Sequence, residues 1–364
     1  MDDPAVRRSR AKAACDRILS GAREQRIGDR IAALAQAAAG YDEPDRYGDG
    51  GPVTALEKRV AGLLGKPAAV FFPTGTMAQQ VALRCWAGRM GNPTVAMHPL
   101  AHPEVHERHA YTMVSGLQAV FPTGEPRQPT AAEVRDLDEP FGTLLLELPL
   151  RDAGYLLPTW DELTAVVAAA RDRGARVHFD GARLWESTTY LGHDLAEIAA
   201  LADSVYVSFY KTLGGISGAA LAGPADLIAQ ARAWRHRYGG QLFQQWPAAL
   251  AALIGLDTQL PRLPEYVQHA ATVASALAQV PGARVHPDPP HTHQFQWWLP
   301  HRAEALEDAA LGLAEAERTW LCAGWPQTAP GAAMAEITVV EPALTWTDVD
   351  ISRAVDALLG RVAG

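Results

Sequence analysis

Cysteine is scarce in this chain: Cys15, Cys85 and Cys322 are the only three among 364 residues. Neither their count nor their spacing suits a disulfide framework or a zinc site, so all three are expected to be reduced packing residues. Positive charge is also in short supply, with 32 Lys and Arg against 41 Asp and Glu and a formal net charge of −9. That leaves no basic field for a polyanion and argues against nucleic acid or an anionic membrane as partner. Long hydrophobic runs are missing: PAALAALIGL from Pro247, among the longest, is far short of the roughly 20 residues that cross a bilayer. The N-terminal stretch MDDPAVRRSRAKAAC has no apolar signal-peptide centre, and a cytoplasmic location is expected. Internal repeats, a P-loop and a G-x-G-x-x-G fingerprint are absent as well.

What remains is an ordinary globular balance, 48% hydrophobic and 20% charged, large enough for more than one domain. Residues 1–44 are predicted to form an N-terminal helical segment. From 45 to 255, short β-like runs such as AAVFF, TLLLELPL, RVHFD and SVYVSF alternate with helical stretches. That rhythm predicts an α/β domain with a mostly parallel sheet covered on both faces. Two helices carry capping-box signals, one opening at Thr54 with Glu57 and the other at Thr159 with Glu162. Residues 256–364 read as a smaller α+β domain.

In open α/β sheets ligands bind beyond the C-terminal ends of the strands, so residues just after each strand are the informative ones. In FFPTGTMAQQ, the turn Gly75-Thr76-Met77 opening a helix is either a phosphate seat or an ordinary Thr-capped turn. In RVHFDGAR, Asp180 ends a strand with Arg183 three residues on. Such a carboxylate can hold a cationic ring nitrogen, coordinate Mg²⁺ or cap a turn. Lys211 follows SVYVSFY and precedes glycines; it is either a solvated loop lysine or a partly dried amine able to attack a carbonyl. His98, His102, His106 and His109 recur at about one helical turn, but Pro103 is better read as starting a helix with His102 in the loop before it. No metal is expected there, nor at His286, Asp288, His291 and His293. A phosphate turn, a histidine loop, an aspartate after a strand and then a lysine together match what pyridoxal phosphate requires.

With those residues in view, the sequence resembles the pyridoxal-phosphate enzymes of the aspartate-aminotransferase fold (fold type I), and most closely the threonine aldolase and β-eliminating lyase family. The resemblance runs over roughly residues 47 to 260, through YGDGGPVTALEKRVAGLLGKPAAVFFPTGTMAQQVAL, VHFDGARLW, YKTLGG, GAALAG and WRHRYGG. It implies that Lys211 is the Schiff-base amine and that Asp180 pairs with the ring nitrogen. It also implies that His102 stacks on the ring, that Gly75, Thr76, Met77 and Ser208 surround the phosphate, and that Arg183 meets the substrate carboxylate. The implied activity is Cα–Cβ cleavage of a β-hydroxy-α-amino acid to glycine and an aldehyde, or β-elimination, in a homodimer or homotetramer with shared active sites. An alternative keeps the cofactor but ends in transamination, racemisation or condensation; a nucleotide- or sugar-phosphate-binding protein is the reading from another class. Departures from the family pattern fall at Pro149, Leu150, His236 and Phe243. The last is Glu336, where a carboxylate-clamping arginine is expected and where a carboxylate would instead suit a cationic group on a larger substrate.

Overall fold

The computed structural model describes residues 4–329 and 331–362. The chain divides into two compact units, one from Gly28 to Arg262 and the other joining the segment up to Ile27 to the segment from Leu263 onward. The N-terminal stretch expected over 1–44 is thus shared between the two, and its first three residues lie outside the described residues.

In the larger unit seven runs rich in branched and aromatic residues pair into one sheet. These are β1 (Ala68–Phe72), β2 (Thr94–Ala96), β3 (Gln118–Val120), β4 (Thr143–Glu147), β5 (Arg176–Gly181), β6 (Ser204–Ser208) and β7 (Ala219–Gly223). Their spatial order is β1-β7-β6-β5-β4-β2-β3. Only β7 is antiparallel to its neighbours, β1 on one side and β6 on the other; every other pairing is parallel. Hence β1 to β6 all run the same way, and their C-terminal ends share one edge of the sheet. Every residue of β4, β6 and β7 is buried, the mark of a sheet covered on both faces rather than one facing water.

The helix Gly75–Met90 starts where Thr74 caps it, its side chain accepting from the Met77 amide at 3.2 Å. It is tied to the sheet by a buried polar chain. The ring of His178 on β5 sits 2.8 Å from Gln79 Oε1 through Nε2 and 2.8 Å from Ser204 Oγ through Nδ1, and Trp86 Nε1 donates to the same hydroxyl at 2.8 Å. Burial lowers the His178 pKa to about 3, so the imidazole is neutral. With Nε2–H donating to Gln79, Nδ1 accepts from Ser204, whose oxygen is then left to accept from Trp86. Around it Val70, Phe72, Ala78, Val81, Ala82, Leu221 and Leu227 form one apolar cluster.

The Thr159–Glu162 capping box forms as expected. The one expected at Thr54 does not: that helix begins at Gly51, three residues earlier. The Thr54 hydroxyl accepts from the Gly50 amide, and Glu57 is buried where its Oε1 accepts the Phe71 amide at 2.8 Å. In the smaller unit a four-stranded antiparallel sheet includes β9 (Gln294–Leu299) between β8 (Arg284–His286) and β11 (Ala332–Thr338), with β10 (Gln327–Ala329) at the edge. One face of it packs Phe295, Trp297, Ala333, Ala335 and Ile337 into a core with helices Leu263–Ala278, Ala303–Glu317 and Asp348–Val362. All three cysteines are free and buried.

Candidate active site

Because β1, β2, β4, β5 and β6 end at one edge, Gly75, His102, Glu147, Asp180 and Lys211 converge there from sequence positions far apart. Asp180 is the penultimate residue of β5 at 1% exposure, and its Oδ1 accepts from the Ala182 amide at 3.2 Å. It stands in register with Glu147 on β4 and with Tyr206 on β6, so all three side chains share a face. Burial raises the Asp180 pKa, opposed chiefly by the charges of His102 and Lys211.

Lys211 lies three residues past the end of β6, half-buried, with its ammonium 5.9 Å from the Tyr210 ring centroid. Desolvation lowers its pKa, and the guanidinium of Arg183 adds to that, while Asp180 and Glu147 oppose it. The result is an amine more readily freed of its proton than a surface lysine. The glycines after it make a tight return: the Gly215 amide donates to the Phe209 carbonyl at 2.8 Å, and a Cβ on Gly215 would sit 2.8 Å from that same oxygen. The return leads straight into β7.

Gly75 has a different constraint. A Cβ built on it would lie 2.2 Å from the Tyr206 hydroxyl, so only glycine lets the helix start settle against β6. The first-turn amides of Gly75 and Thr76 precede any intrahelical acceptor, which leaves them available to an anion. Met77 is half-buried, and Thr76 is exposed.

His102 is the first residue of the short helix His102–Val105 rather than part of the loop before it. Its amide donates to Glu147 Oε2 at 2.7 Å, and its Nδ1 is 3.4 Å from Glu107 Oε1. Burial works against protonation of this ring, but the Glu107 contact and the Asp180 charge outweigh it and the pKa is raised. The other histidines go to separate partners: His98 Nε2 to the Glu125 carbonyl, His106 to Asp152 and His109 to Glu104. Among the described residues no group of three or more His, Cys, Asp or Glu could hold a metal ion.

Arg183 follows β5, its guanidinium 5.4 Å from the Tyr155 ring centroid and its Nε 4.0 Å from Glu186 Oε1; that Nε is buried without a hydrogen-bond acceptor. Glu186 also accepts from Thr212, next to Lys211, at 3.1 Å. Ser208 is buried with its hydroxyl donating to the Ala182 carbonyl at 2.8 Å, tying the end of β6 to the segment after β5. Glu336 belongs to the smaller unit, half-buried on β11 in register with Gln296. Among the departing positions, Leu150 is fully buried, and Phe243 is exposed with its ring edge-on to Tyr47 at 5.4 Å.

Glu147, Glu107 and Tyr206 went unrecognised in the sequence. The signal for Glu147 was there: one acidic residue at the end of an otherwise apolar strand, TLLLE, in a fully buried position. Glu107 and Tyr206 carry no such mark.

Residues 29–297 match the family of β-eliminating lyases. The low specificity L-threonine aldolase of Escherichia coli K12 is 32% identical over 241 residues, 65% of this chain and 72% of that one. Two solved structures superpose over nearly the whole chain. One, from Listeria monocytogenes EGD-E and assigned as an L-allo-threonine aldolase, has a TM-score of 0.91 at 31% identity, covering 99% of this chain and 100% of its own. The other, from Exiguobacterium sp. 255-15 and assigned as an aromatic amino acid β-eliminating lyase/threonine aldolase, has a TM-score of 0.88 at 34% identity, covering 98% and 99%.

Proposed function

Since this chain belongs to the β-eliminating lyase family, we propose that it is a pyridoxal-phosphate-dependent lyase of the threonine-aldolase type, with fold type I architecture, cleaving Cα–Cβ of a β-hydroxy-α-amino acid to glycine and an aldehyde. The observation that carries the reading is the convergence of Lys211, Asp180 and the glycine-initiated helix start at one sheet edge.

The residues present fit the cofactor. Asp180 has Oδ1 committed to Ala182, which leaves Oδ2 to accept a ring N–H. The Gly75 and Thr76 amides at the helix start are the ones offered to a phosphate, and the absence of a Cβ at Gly75 is what allows that turn to seat. His102 presents a ring whose position is set by Glu147 and Glu107. Bound there, pyridoxal phosphate supplies an electron sink for the bonds at the substrate Cα. Lys211 Nζ supplies the amine that holds the cofactor, and its lowered pKa suits it to take up and return a proton. Arg183, with a buried N–H that finds no hydrogen-bond acceptor among the described residues, is the group for the substrate carboxylate. Ser208 acts through its tie to Ala182.

Among the described residues no helix is long and apolar enough to cross a membrane. We propose further that the protein is a cytoplasmic homo-oligomer with shared active sites; sedimentation of the purified protein tests the oligomer, and a monomer would rule it out. For the activity itself, the purified protein is incubated with L-threonine, L-allo-threonine and L-serine and the products are identified. Glycine with acetaldehyde from either threonine supports the reading; a keto acid and ammonia from serine alone would convert it to a β-elimination. Borohydride reduction followed by peptide mass analysis is expected to leave the cofactor on Lys211.

A further inference from the structure

We infer that Glu147 is a positioning residue: one carboxylate at the end of β4 clamps the two segments that flank the site, one oxygen holding the His102 amide and the other the Arg151 amide. The two bonds are 2.7 Å to Oε2 and 3.3 Å to Oε1. The inference rests on the lyase reading only in taking His102 as the residue that faces the cofactor ring.

The short helix His102–Val105 has Ala101 at its N-cap position and no side-chain cap of its own. Its first amide would otherwise want an acceptor, and Glu147 supplies one from another strand. On the other side, Arg151 begins the turn that runs to Tyr155; its amide goes to Glu147 and its Nη1 to Asp152 Oδ1 at 2.8 Å. Asp152 in turn holds His106 Nε2 at 2.7 Å, and the His106 ring lies 5.3 Å from that of His102. A loop is therefore closed: Glu147, His102, His106, Asp152, Arg151 and back to Glu147. Gln128 fixes the base of the clamp by donating to the Glu147 carbonyl.

Both arms are at full strength only with an ionised carboxylate, because protonation puts hydrogen on one oxygen and makes it a much poorer acceptor for its N–H donor. The charged groups facing Glu147 are Asp180 on the next strand, His102 and the Lys211 ammonium, while Arg151 meets it through its backbone amide and turns its guanidinium to Asp152. Burial, and then the neighbouring Asp180 charge, push its pKa up to about 7, against the pull of the His102 and Arg151 amides. As pH falls through that range Glu147 takes a proton and one arm opens, the longer Arg151 arm first; as pH rises both close.

The experiment is residue-resolved amide hydrogen exchange on the cofactor-loaded protein at about pH 6 and about pH 8.5, corrected for intrinsic rates, with the Ala182 amide on Asp180 as internal reference. In Glu147→Gln, which keeps one acceptor oxygen, protection of the Arg151 amide at the higher pH is expected to fall roughly tenfold while Ala182 is unchanged. Wild-type protein at the lower pH is expected to resemble the variant, and the variant itself to show no pH dependence at Arg151 or His102. Equal protection of both amides in wild type and variant, or a wild type insensitive to pH, overturns the inference. Should the variant fail to fold, the wild-type pH series decides alone. Absorbance of the bound cofactor, read on the same samples, separates failure of this clamp from failure of the lyase reading, which would leave the protein colourless.

Discussion

The Tyr206 hydroxyl occupies the place where a side chain on residue 75 would begin, 2.2 Å from a Cβ built on Gly75, with Tyr206 Cζ next at 3.1 Å. Gly75→Ala is expected to push the helix start off β6, costing about 1–3 kcal/mol and weakening affinity for pyridoxal phosphate. Pairing it with Tyr206→Phe removes the nearer atom and is expected to recover part of both. Urea denaturation and a fluorescence titration read the two effects; a double variant no better than the single one would rule out the clash as the cause.

Lys211 offers a test in which stability and activity move in opposite directions. Its folded pKa is lowered from 10.5, first by desolvation and then by Arg183. Its stabilising contribution is therefore present above that ordinary value and lost as pH falls through the folded pKa; at neutral pH the ammonium is a cost. Lys211→Met should raise the Tm of the cofactor-free protein at pH 7 and lose that advantage as pH climbs toward 10.5. Lyase turnover is expected to drop at least ~10³-fold. A lower Tm at neutral pH would contradict the desolvation argument.

Arg183→Lys keeps the charge but not the planar fork. If Arg183 holds the substrate carboxylate, the loss of about 1.5–3 kcal/mol raises KM for the amino acid roughly tenfold to a hundredfold, with a smaller change in kcat. Steady-state kinetics on the substrate that the product assay identifies provide the measurement, and an unchanged KM would remove Arg183 from that role.

A fourth expectation concerns the frame. Arg235 is 2% exposed, donates to the Phe71 carbonyl at 2.7 Å and lies 3.9 Å from Glu57, which accepts the Phe71 amide. Glu57→Met leaves that guanidinium buried without its carboxylate, and frees the half-exposed Arg232 that also pairs with Glu57, at an expected cost of about 3–5 kcal/mol, whereas Glu57→Met with Arg235→Met should cost less, because no fully buried charge is then stranded. Denaturant unfolding of the three proteins reads the difference.

The same pair shows why one helix start was misplaced from sequence. TALEKR carries a good capping box on paper, yet Glu57 is drawn to Phe71 and Arg235, and Thr54 serves Gly50 instead. Nothing within the six residues records that competition. The Thr159–Glu162 box, exposed at the surface, forms as its spacing suggests.

What the sequence determined by itself was the cofactor class, and the lysine proposed to hold it was legible there too. Asp180 sits at the end of a buried strand and Lys211 and Gly75 three residues past the end of one, and that placement is a local property legible from short runs and turns. Only the tertiary structure decided what surrounds them. Glu147 reaches Asp180 and His102 through strand register and helix placement across 33 and 45 positions of chain (180 − 147 and 147 − 102), and Tyr206 reaches Gly75 the same way. Those contacts depend on which strands become neighbours and in what register, which no local pattern encodes.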